Sequence, residues 1–155
     1  MTFPTGRYAG KSPEYVLFHD PGHFEWLLEK GVPGRYCTCL ADRIRHLNWC
    51  AIRLRLPCRC ARCPTPAEEM LLFESRTHRL GKVEFVCRAC AAQAGPDAYA
   101  QSPSFFGSRA FHDYDKRGGR MIVAAIKRVY FGSSSYRMTA RRMAAFFDNP
   151  ENFLP

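Results

Sequence analysis

The sequence predicts a small α+β protein, in which a β-hairpin unit built around paired cysteines has helices on both sides of it. Three observations favour this fold class: two cysteine pairs of equal internal spacing, short apolar runs of strand length, and helix-capping residues towards both ends of the chain. The length of 155 residues fits one domain, or one small domain with an appendage, and a hydrophobic content of 46% is ordinary for a globular protein.

Two helices expected near the N-terminus begin with the same signal. Ser12-Pro13 and Asp20-Pro21 each place a capping side chain before a proline, whose missing N–H costs nothing at the first helical position. Gly31 is expected to end the second helix. The apolar stripe of that helix comprises Phe24, Leu27 and Leu28, with Trp26 at its edge.

The segment that precedes the first helix, Gly6 to Ser12, is one residue shorter than the phosphate-binding pattern GxxxxGK[ST]. It also lacks the buried apolar strand that should come before such a loop. We therefore do not predict a nucleotide-hydrolysing site, and we interpret the segment as a tight turn that leads into the helix.

These N-terminal residues resemble a known accessory domain. The match consists of Gly6-x-Tyr8-x-Gly10-Lys11-Ser12 and then Asp20-Pro21-Gly22-His23-Phe24-x-Trp26-Leu27-Leu28. The domain is found at the C-terminus of exonuclease X-like proteins and in a family described as quorum-sensing-regulated virulence factors. Its pattern is roughly G-K-Y-x-G-K-[ST], then an acidic residue, Pro, Gly, Tyr and W-L-L. The resemblance covers about residues 6–30, where Arg7 replaces the first family lysine and His23 replaces the usual tyrosine.

The resemblance implies an accessory role linked to nucleic acids, because the domain accompanies nucleases and helicases. The exonuclease activity of that family belongs to a separate domain, so it does not carry over to these residues. The residues implied as contact or structural residues are Arg7, Tyr8, Lys11 and Trp26. For Trp26, packing in the core is the other interpretation.

Four cysteines in the first half of the chain could form a second zinc site. They are Cys37, Cys39, Cys50 and Cys58, with His46 close by in sequence. Cys37-x-Cys39 is a poorer metal-binding turn than Cys-x2-Cys, and a single cysteine such as Cys50 often behaves as a small core hydrophobe. A regulatory disulfide is a further interpretation of these residues.

Three strands are expected around the paired cysteines. Ile52 to Leu56 alternate apolar and basic residues, which predicts a half-buried strand ended by Pro57. The apolar runs Met70 to Phe73 and Val83 to Val86 are joined by a polar stretch. They predict a hairpin that leads directly into Cys87.

The pairs Cys60-x2-Cys63 and Cys87-x2-Cys90, with 23 residues between them, predict a zinc ribbon. Each pair can direct two sulfurs to a common point, and four thiolates complete a tetrahedron around Zn²⁺. Because such a site keeps no open coordination position, we expect one structural zinc ion and no catalysis there. Cys58 could replace Cys60 as a ligand, but the spacing of the second pair favours Cys60.

The alanine-rich stretch after Cys90 predicts a short helix ended by Gly95-Pro96, and residues 93–107 are then interpreted as a linker. We therefore divide the chain at this point. Residues 1–95 would hold the exonuclease-X-like segment and the zinc ribbon, and residues 96–155 would form a basic helical region packed on the first.

The stretch from Lys116 to Phe147 has eight basic residues and no acidic one, in a chain whose net charge is +9. The eight are Lys116, Arg117, Arg120, Lys127, Arg128, Arg137, Arg141 and Arg142. We expect one helix near Arg120 to Phe131 and a second after the serine cluster 133–135. Buried positions are expected at Ile122, Ala125, Ile126, Val129, Met143, Phe146 and Phe147.

Such a positive surface attracts phosphate backbones, with an affinity that falls steeply as the salt concentration rises. Aromatic residues lie between the basic ones and could stack on the bases of a single strand or pack in the core. They are Phe105, Phe106, Phe111, Tyr114, Tyr130, Phe131 and Tyr136. We therefore predict a non-enzymatic protein that binds DNA or RNA, or recruits a nuclease or helicase, through Arg7, Lys11 and the eight basic residues.

Two other functions stay open. The basic surface could meet an acidic protein, which would make the chain an adaptor or effector. The segment His112 to Lys116 holds Asp113 and Asp115, which could bind the divalent metal of a nuclease, although these residue types before Gly118 are also typical of turns.

No secretory signal is predicted, because the N-terminus has neither a charged region nor an apolar core segment. No apolar run approaches the roughly 18 residues of a membrane span, so we expect no membrane partner. Without an export signal, the eight cysteines are expected to serve as thiols and metal ligands in the cytoplasm.

Overall fold

The computed structural model describes residues 1–31, 35–107 and 116–155, and these form a mixed α+β fold. The described ranges contain six α-helices and a three-stranded antiparallel sheet. The helices are α1 (Pro13–His19), α2 (Pro21–Glu29), α3 (Thr38–Ala51), α4 (Arg88–Ala92), α5 (Lys116–Phe131) and α6 (Ala140–Asp148). The strands are β1 (Glu69–Glu74), β2 (Leu80–Val86) and β3 (Ala98–Gln101), and a short 3-10 helix, Pro150–Asn152, lies near the end of the chain.

The two N-terminal helices begin where the capping residues predict. Ser12 Oγ accepts the Tyr15 amide at 3.2 Å, and Asp20 Oδ1 accepts the His23 amide at 3.3 Å. Gly31 follows α2 with a φ of +62°, a left-handed conformation that favours glycine. The segment before α1 is a turn, as expected.

The hairpin of β1 and β2 is confirmed, and its pairing places Leu71 opposite Glu84. The interpretation of residues 93–107 as a linker is wrong. β3 lies within it and pairs with the other edge of β1, where Leu71 faces Ala100. Leu71 is fully buried, so the backbone groups of this inner strand need partners on both sides, and β3 supplies them.

The strand expected from Ile52 to Leu56 does not form. Helix α3 continues to Ala51, and within the described stretch from Ile52 to Leu56 only Leu54 makes an isolated bridge, to Phe153. The predicted alternation of burial fails as well, because Leu54 is buried whereas Ile52, which a strand would place on the same face, is exposed. The backbone here pairs with irregular segments.

The main hydrophobic core draws on both predicted units. Phe18 of α1 packs edge to face against Phe105 and against Phe146 of α6, with ring centroids 5.1 and 5.6 Å apart. β1 separates this core from a smaller one, since Met70 and Leu72 face the main core and Leu71 faces the smaller core. The division of the chain at residue 95 stays a prediction.

The two basic helices near the C-terminus form, but the second begins later than expected. α5 buries Ile122 and Ile126 as predicted. The cap of α6 is Thr139, whose hydroxyl accepts the Arg142 amide at 3.3 Å, whereas the serine cluster 133–135 forms a separate turn. Arg137 therefore lies outside α6 and does not share a helix face with Arg141.

None of the helices in the described ranges has the length and the apolar run that a bilayer crossing would require.

Candidate metal centre and candidate nucleic-acid interface

Four cysteine sulfurs meet at the end of the hairpin. The Sγ atoms of Cys60, Cys63, Cys87 and Cys90 all lie within 4.8 Å of one another. Cys63 Sγ is 3.5 Å from Cys87 Sγ and 3.7 Å from Cys90 Sγ. Cys58 does not belong to this group, so the cluster contains Cys60 and not Cys58.

The first pair is held in a turn before β1. The Cys60 amide donates to the Thr65 carbonyl at 2.7 Å, and the Ala61 amide donates to the Phe85 carbonyl of β2 at 3.0 Å. The Arg62 amide points back at Cys60 Sγ, at 3.4 Å. The turn is therefore held by hydrogen bonds within itself and by a hydrogen bond to the strand that leads to the second pair.

The second pair follows β2 without a break. Cys87 is the N-cap of α4, and its Sγ accepts the Cys90 amide at 3.4 Å. α4 was predicted from its alanines, and its Ala91 packs beside Cys60 and Cys87 in the smaller core. The two pairs thus resemble each other, because in each the first sulfur accepts a backbone N–H from within its own turn.

Hydrogen bonds in the cluster favour the thiolate forms of Cys60 and Cys87. A bond with the Thr65 side chain, followed by the Cys90 amide, lowers the pKa of Cys87 to about 6. Burial alone would raise the pKa of Cys60, but the surrounding amides, Cys87 and Arg62 among them, bring it below its ordinary value. The bonds with Cys87 and Cys63 raise the pKa of Cys90 to about 12, since neighbouring sulfurs do not all ionise together unless a cation joins them.

The spacing of the sulfurs fits a metal ion. A tetrahedron of thiolates with metal–sulfur bonds of about 2.3 Å has sulfur–sulfur edges of about 3.8 Å. The 3.5 and 3.7 Å separations lie close to that value. The cluster can therefore hold a metal ion with all four ligands supplied by this chain.

The other four cysteines do not form a second cluster of this kind within the described ranges. Cys50 is buried in the main core, as the alternative interpretation predicts, and burial raises its pKa to about 11. Cys58 packs against the same core. Cys37 and Cys39 are exposed at the start of α3, with their sulfurs 3.1 Å apart.

A cavity of about 540 Å³ lies between α1, α5 and residues 134–138, and we call it the basic groove. The polar side chains along it include those of Tyr8, Tyr15, His19, Arg120, Lys127, Tyr136 and Arg137. Arg120 and Lys127 are seven positions apart on α5 and therefore lie on the same face, two turns from each other. None of the described residues that line the groove is acidic.

Aromatic rings form the two walls of the groove. On one wall the Tyr15 ring stacks on His19, with centroids 3.9 Å apart and planes 13° from parallel. On the other wall Tyr136 stacks on Phe131 at 4.7 Å. Two further cations extend the positive surface, because Lys11 Nζ lies 5.1 Å from the centre of the Tyr15 ring and Arg142 Cζ lies 4.8 Å from that of Tyr136.

The turn after α5 places Tyr136 and Arg137. Gly132 ends the helix with a φ of +76°, and the Tyr136 amide donates to the Ser133 carbonyl at 3.2 Å. Arg142 then donates to the Arg137 carbonyl at 3.1 Å. The acid-free stretch is thus folded back on itself, so that cations from α5 and from the turn face one cavity.

The predicted basic residues are divided among several surfaces. Arg120, Lys127 and Arg137 line the groove, and no carboxylate of the described ranges lies within salt-bridge distance of them. Lys11 and Arg142 adjoin it. The guanidinium groups of Arg117, Arg128 and Arg141 are exposed elsewhere, and the side chain of Lys116 is not among the described ones.

Arg7 and Trp26 lie outside the groove. Arg7 pairs with Asp20 at 3.5 Å, with its side chain 56% exposed. Trp26 is 47% exposed, so the core-packing interpretation is wrong. The candidate nuclease residues Asp113 and Asp115, with Phe111 and Tyr114, fall outside the described residues. Phe105 and Phe106 are buried in the core, so their rings are not accessible for stacking on bases.

No family model, no curated protein and no solved structure matches the chain. The resemblance of residues 6–30 to the exonuclease-X accessory domain therefore stays a prediction. The contribution of α1 to the groove, through Tyr15 and His19, was missed at the level of sequence. The four-residue spacing of these two rings on a helix was the signal that could have revealed it.

Proposed function

We propose that this protein is a zinc-stabilised, non-enzymatic nucleic-acid-binding protein, whose contacts with phosphates are made in the basic groove. The observation that carries the proposal is the convergence of Arg120, Lys127 and Arg137 on one cavity whose described lining has no carboxylate. Phosphate contacts supply most of the affinity of sequence-independent binding, and they are made by side chains of this type.

The aromatic walls favour nucleic acid over a general polyanion. Tyr15 and Tyr136 present rings beside the cations, and bases of a single strand can stack on such rings. Guanidinium groups also bind phosphate in a bidentate manner, which Arg120 and Arg137 could both do. An accessory role beside a nuclease or helicase agrees with this surface.

For the metal centre we propose zinc. A closed set of four cysteine thiolates is the ligand set that Zn²⁺ takes in structural sites, and it leaves no position for a substrate. The cluster supports the smaller core and the turn before β1, where the Ala61 amide donates a hydrogen bond to the Phe85 carbonyl. In this proposal the metal stabilises the zinc ribbon and the groove performs the binding.

Fluorescence anisotropy tests the function directly. The protein is titrated against labelled random-sequence single strands and duplexes at a low and a physiological salt concentration. We expect binding at low salt that weakens strongly at the higher concentration. The absence of binding to either probe at low salt would overturn the proposal and would leave an acidic protein as the partner that the basic groove fits.

A further inference from the structure

A second cavity, of about 380 Å³, adjoins the basic groove, and we call it the aromatic pocket. The side chains that matter here are those of Arg7, Tyr8, His23, Trp26, Arg35 and Tyr36. Tyr8 lines both the aromatic pocket and the basic groove. The two cavities therefore share Tyr8 as part of their walls.

Three rings follow one another along this pocket. The centroid of Tyr8 is 5.0 Å from that of His23, and the centroid of His23 is 5.3 Å from that of Trp26. His23 and Trp26 are close to parallel, with 23° between their planes, and Trp26 is 47% exposed. A large aromatic ring left open at the end of such a series offers a surface on which another flat ring can stack.

The rings are held in place by one buried carboxylate. Asp20 accepts the Tyr8 hydroxyl at 2.6 Å, pairs with Arg7 at 3.5 Å and caps α2, which carries both His23 and Trp26. Asp20 itself is 5% exposed. Tyr8 is presented by a turn in which Gly6 and Gly10 both have left-handed backbone, with φ of +86° and +75°. The arrangement is therefore built before any ligand arrives.

The charges around the aromatic pocket select against a cationic ligand. Arg7 and Arg35 line it, and none of its described lining residues is acidic. Burial, the strongest influence on His23, lowers its pKa and so favours the neutral ring, which can stack without adding charge. An ammonium group, such as that of a methylated lysine, would meet Arg35 and the guanidinium of Arg7, whose charge Asp20 balances only in part. A neutral aromatic ring attached to an anion could stack on the rings of the pocket while its negative charge pairs with the arginines.

We propose that the aromatic pocket binds an unpaired base of a single strand whose phosphates lie in the basic groove. This inference rests on the proposed function and narrows it from nucleic acid in general to single strands. A base within a duplex is paired and stacked on its neighbours, so it cannot lie against Trp26 without being extruded at a cost of a few kcal/mol. The shared residue, Tyr8, marks where the strand would pass from one cavity to the other.

The fluorescence of Trp26 provides the test, because Trp26 and Trp49 are the two tryptophans of the chain. Trp49 lies on α3 with Arg53 over its ring at 5.0 Å, so Trp49→Phe leaves Trp26 as the sole reporter. A mixed-sequence single strand is titrated into this variant while its anisotropy is also recorded. We expect the Trp26 emission to fall, with the same half-saturation as the anisotropy.

Two substitutions complete the experiment. Trp26→Leu should weaken binding of the single strand roughly 5- to 160-fold, the range expected for one stacked base, and should leave binding of the duplex unchanged. Trp26→Phe keeps a ring and should stay close to the wild type. Because Trp26 is exposed, neither change is expected to unfold the protein, and circular dichroism checks this.

The outcomes separate the two proposals. Two results would overturn the aromatic pocket as a base site and leave the proposed function standing. The first is binding of the single strand with no change in Trp26 emission. The second is an equal loss of affinity for single strand and duplex in Trp26→Leu. A wild-type protein that binds neither probe at low salt would overturn both.

Discussion

The hydroxyl of Tyr8 donates to Oδ2 of Asp20 across 2.6 Å, which joins the N-terminal turn to the start of α2. The same carboxylate accepts the His23 amide and pairs with Arg7. Residues 12 positions apart in the chain are thereby fixed at the boundary between the basic groove and the aromatic pocket. Local stability and the candidate site depend on one side chain.

Replacing Asp20 should therefore destabilise the protein. Asp20→Ala removes a helix cap, which costs about 0.5–2 kcal/mol, and leaves the Tyr8 hydroxyl without its acceptor, which costs about 1–3 kcal/mol. We expect the free energy of unfolding in urea to fall by about 2–4 kcal/mol. Asp42→Ala, at an exposed position, is the control. Equal losses in the two variants would contradict the role given to Asp20.

The Tyr8 hydroxyl also predicts a dependence of stability on alkaline pH. Burial, together with the hydrogen bond to Asp20, raises the pKa of Tyr8 to about 12 from an ordinary value of 10.0. The unfolded chain therefore loses this proton before the folded protein does, so the stabilisation is complete below pH 10 and is lost as the pH rises from 10 through 12. Between pH 9 and pH 11, the free energy of unfolding in urea should decrease less for Tyr8→Phe than for the wild type. Identical decreases in the two proteins would show that Tyr8 does not cause the loss of stability at alkaline pH.

Loss of a cysteine from the proposed zinc site should have a far larger effect. Structural Zn²⁺ contributes apparent binding energies of about 10–16 kcal/mol in small zinc domains, and this energy is folding energy. We expect one zinc per chain by elemental analysis, and Cys60→Ser should abolish metal binding and unfold the hairpin region. Cys58→Ser is the matched control, since Cys58 lies outside the cluster. This variant should keep its zinc ion. Two zinc ions per chain would restore a second site at Cys37 and Cys39. A protein that contains no zinc would refute the zinc assignment.

The local signals in the sequence predicted the elements that depend on local chemistry. The caps at Ser12 and Asp20 place the first helices, and the spacing of the two cysteine pairs identifies the cluster of sulfurs. Both work because the partners that satisfy each residue lie within a few positions or in a pattern of fixed spacing.

What could not be predicted depends on distant partners. β3 forms because β1 has an unpaired edge, and nothing within Ala98–Gln101 signals it strongly. The basic groove needs α1 and α5 side by side, an arrangement set by the packing of residues such as Phe18 and Ile126 into one core. For the same reason, the sequence indicated the sign of the basic surface but not which of its cations face a common cavity.

The exposed thiols of Cys37 and Cys39 should differ in reactivity although they lie 3.1 Å apart. The hydrogen bond from the Cys39 thiol, followed by that of the Leu40 amide, lowers the pKa of Cys37, whereas the bond to Cys37 raises the pKa of Cys39. Since the thiolate is the nucleophile, iodoacetamide at pH 7 should alkylate Cys37 before Cys39, as mass spectrometry of peptides would record.

Cys50 serves as the internal comparison for this experiment, because burial raises its pKa to about 11 and it should react last of the three. Cys39→Ala removes the donor to Cys37 and should slow the alkylation of Cys37. Faster reaction of Cys39 or Cys50 than of Cys37 in the wild-type protein would show that the hydrogen bond does not have the direction assigned to it.

The basic groove predicts a change in the salt dependence of binding. Each phosphate contact with a single strand contributes about 0.7 to the slope of log K against log salt concentration. If Arg120 and Lys127 each contact a phosphate, Arg120→Ala/Lys127→Ala should reduce that slope by about 1.4, and the affinity should fall most at low salt. The control, Arg59→Ala/Arg76→Ala, removes the same charge from exposed positions near the metal centre and in the hairpin turn. A purely general attraction to the net charge of +9 would weaken both double variants equally, whereas binding in the groove affects only the first.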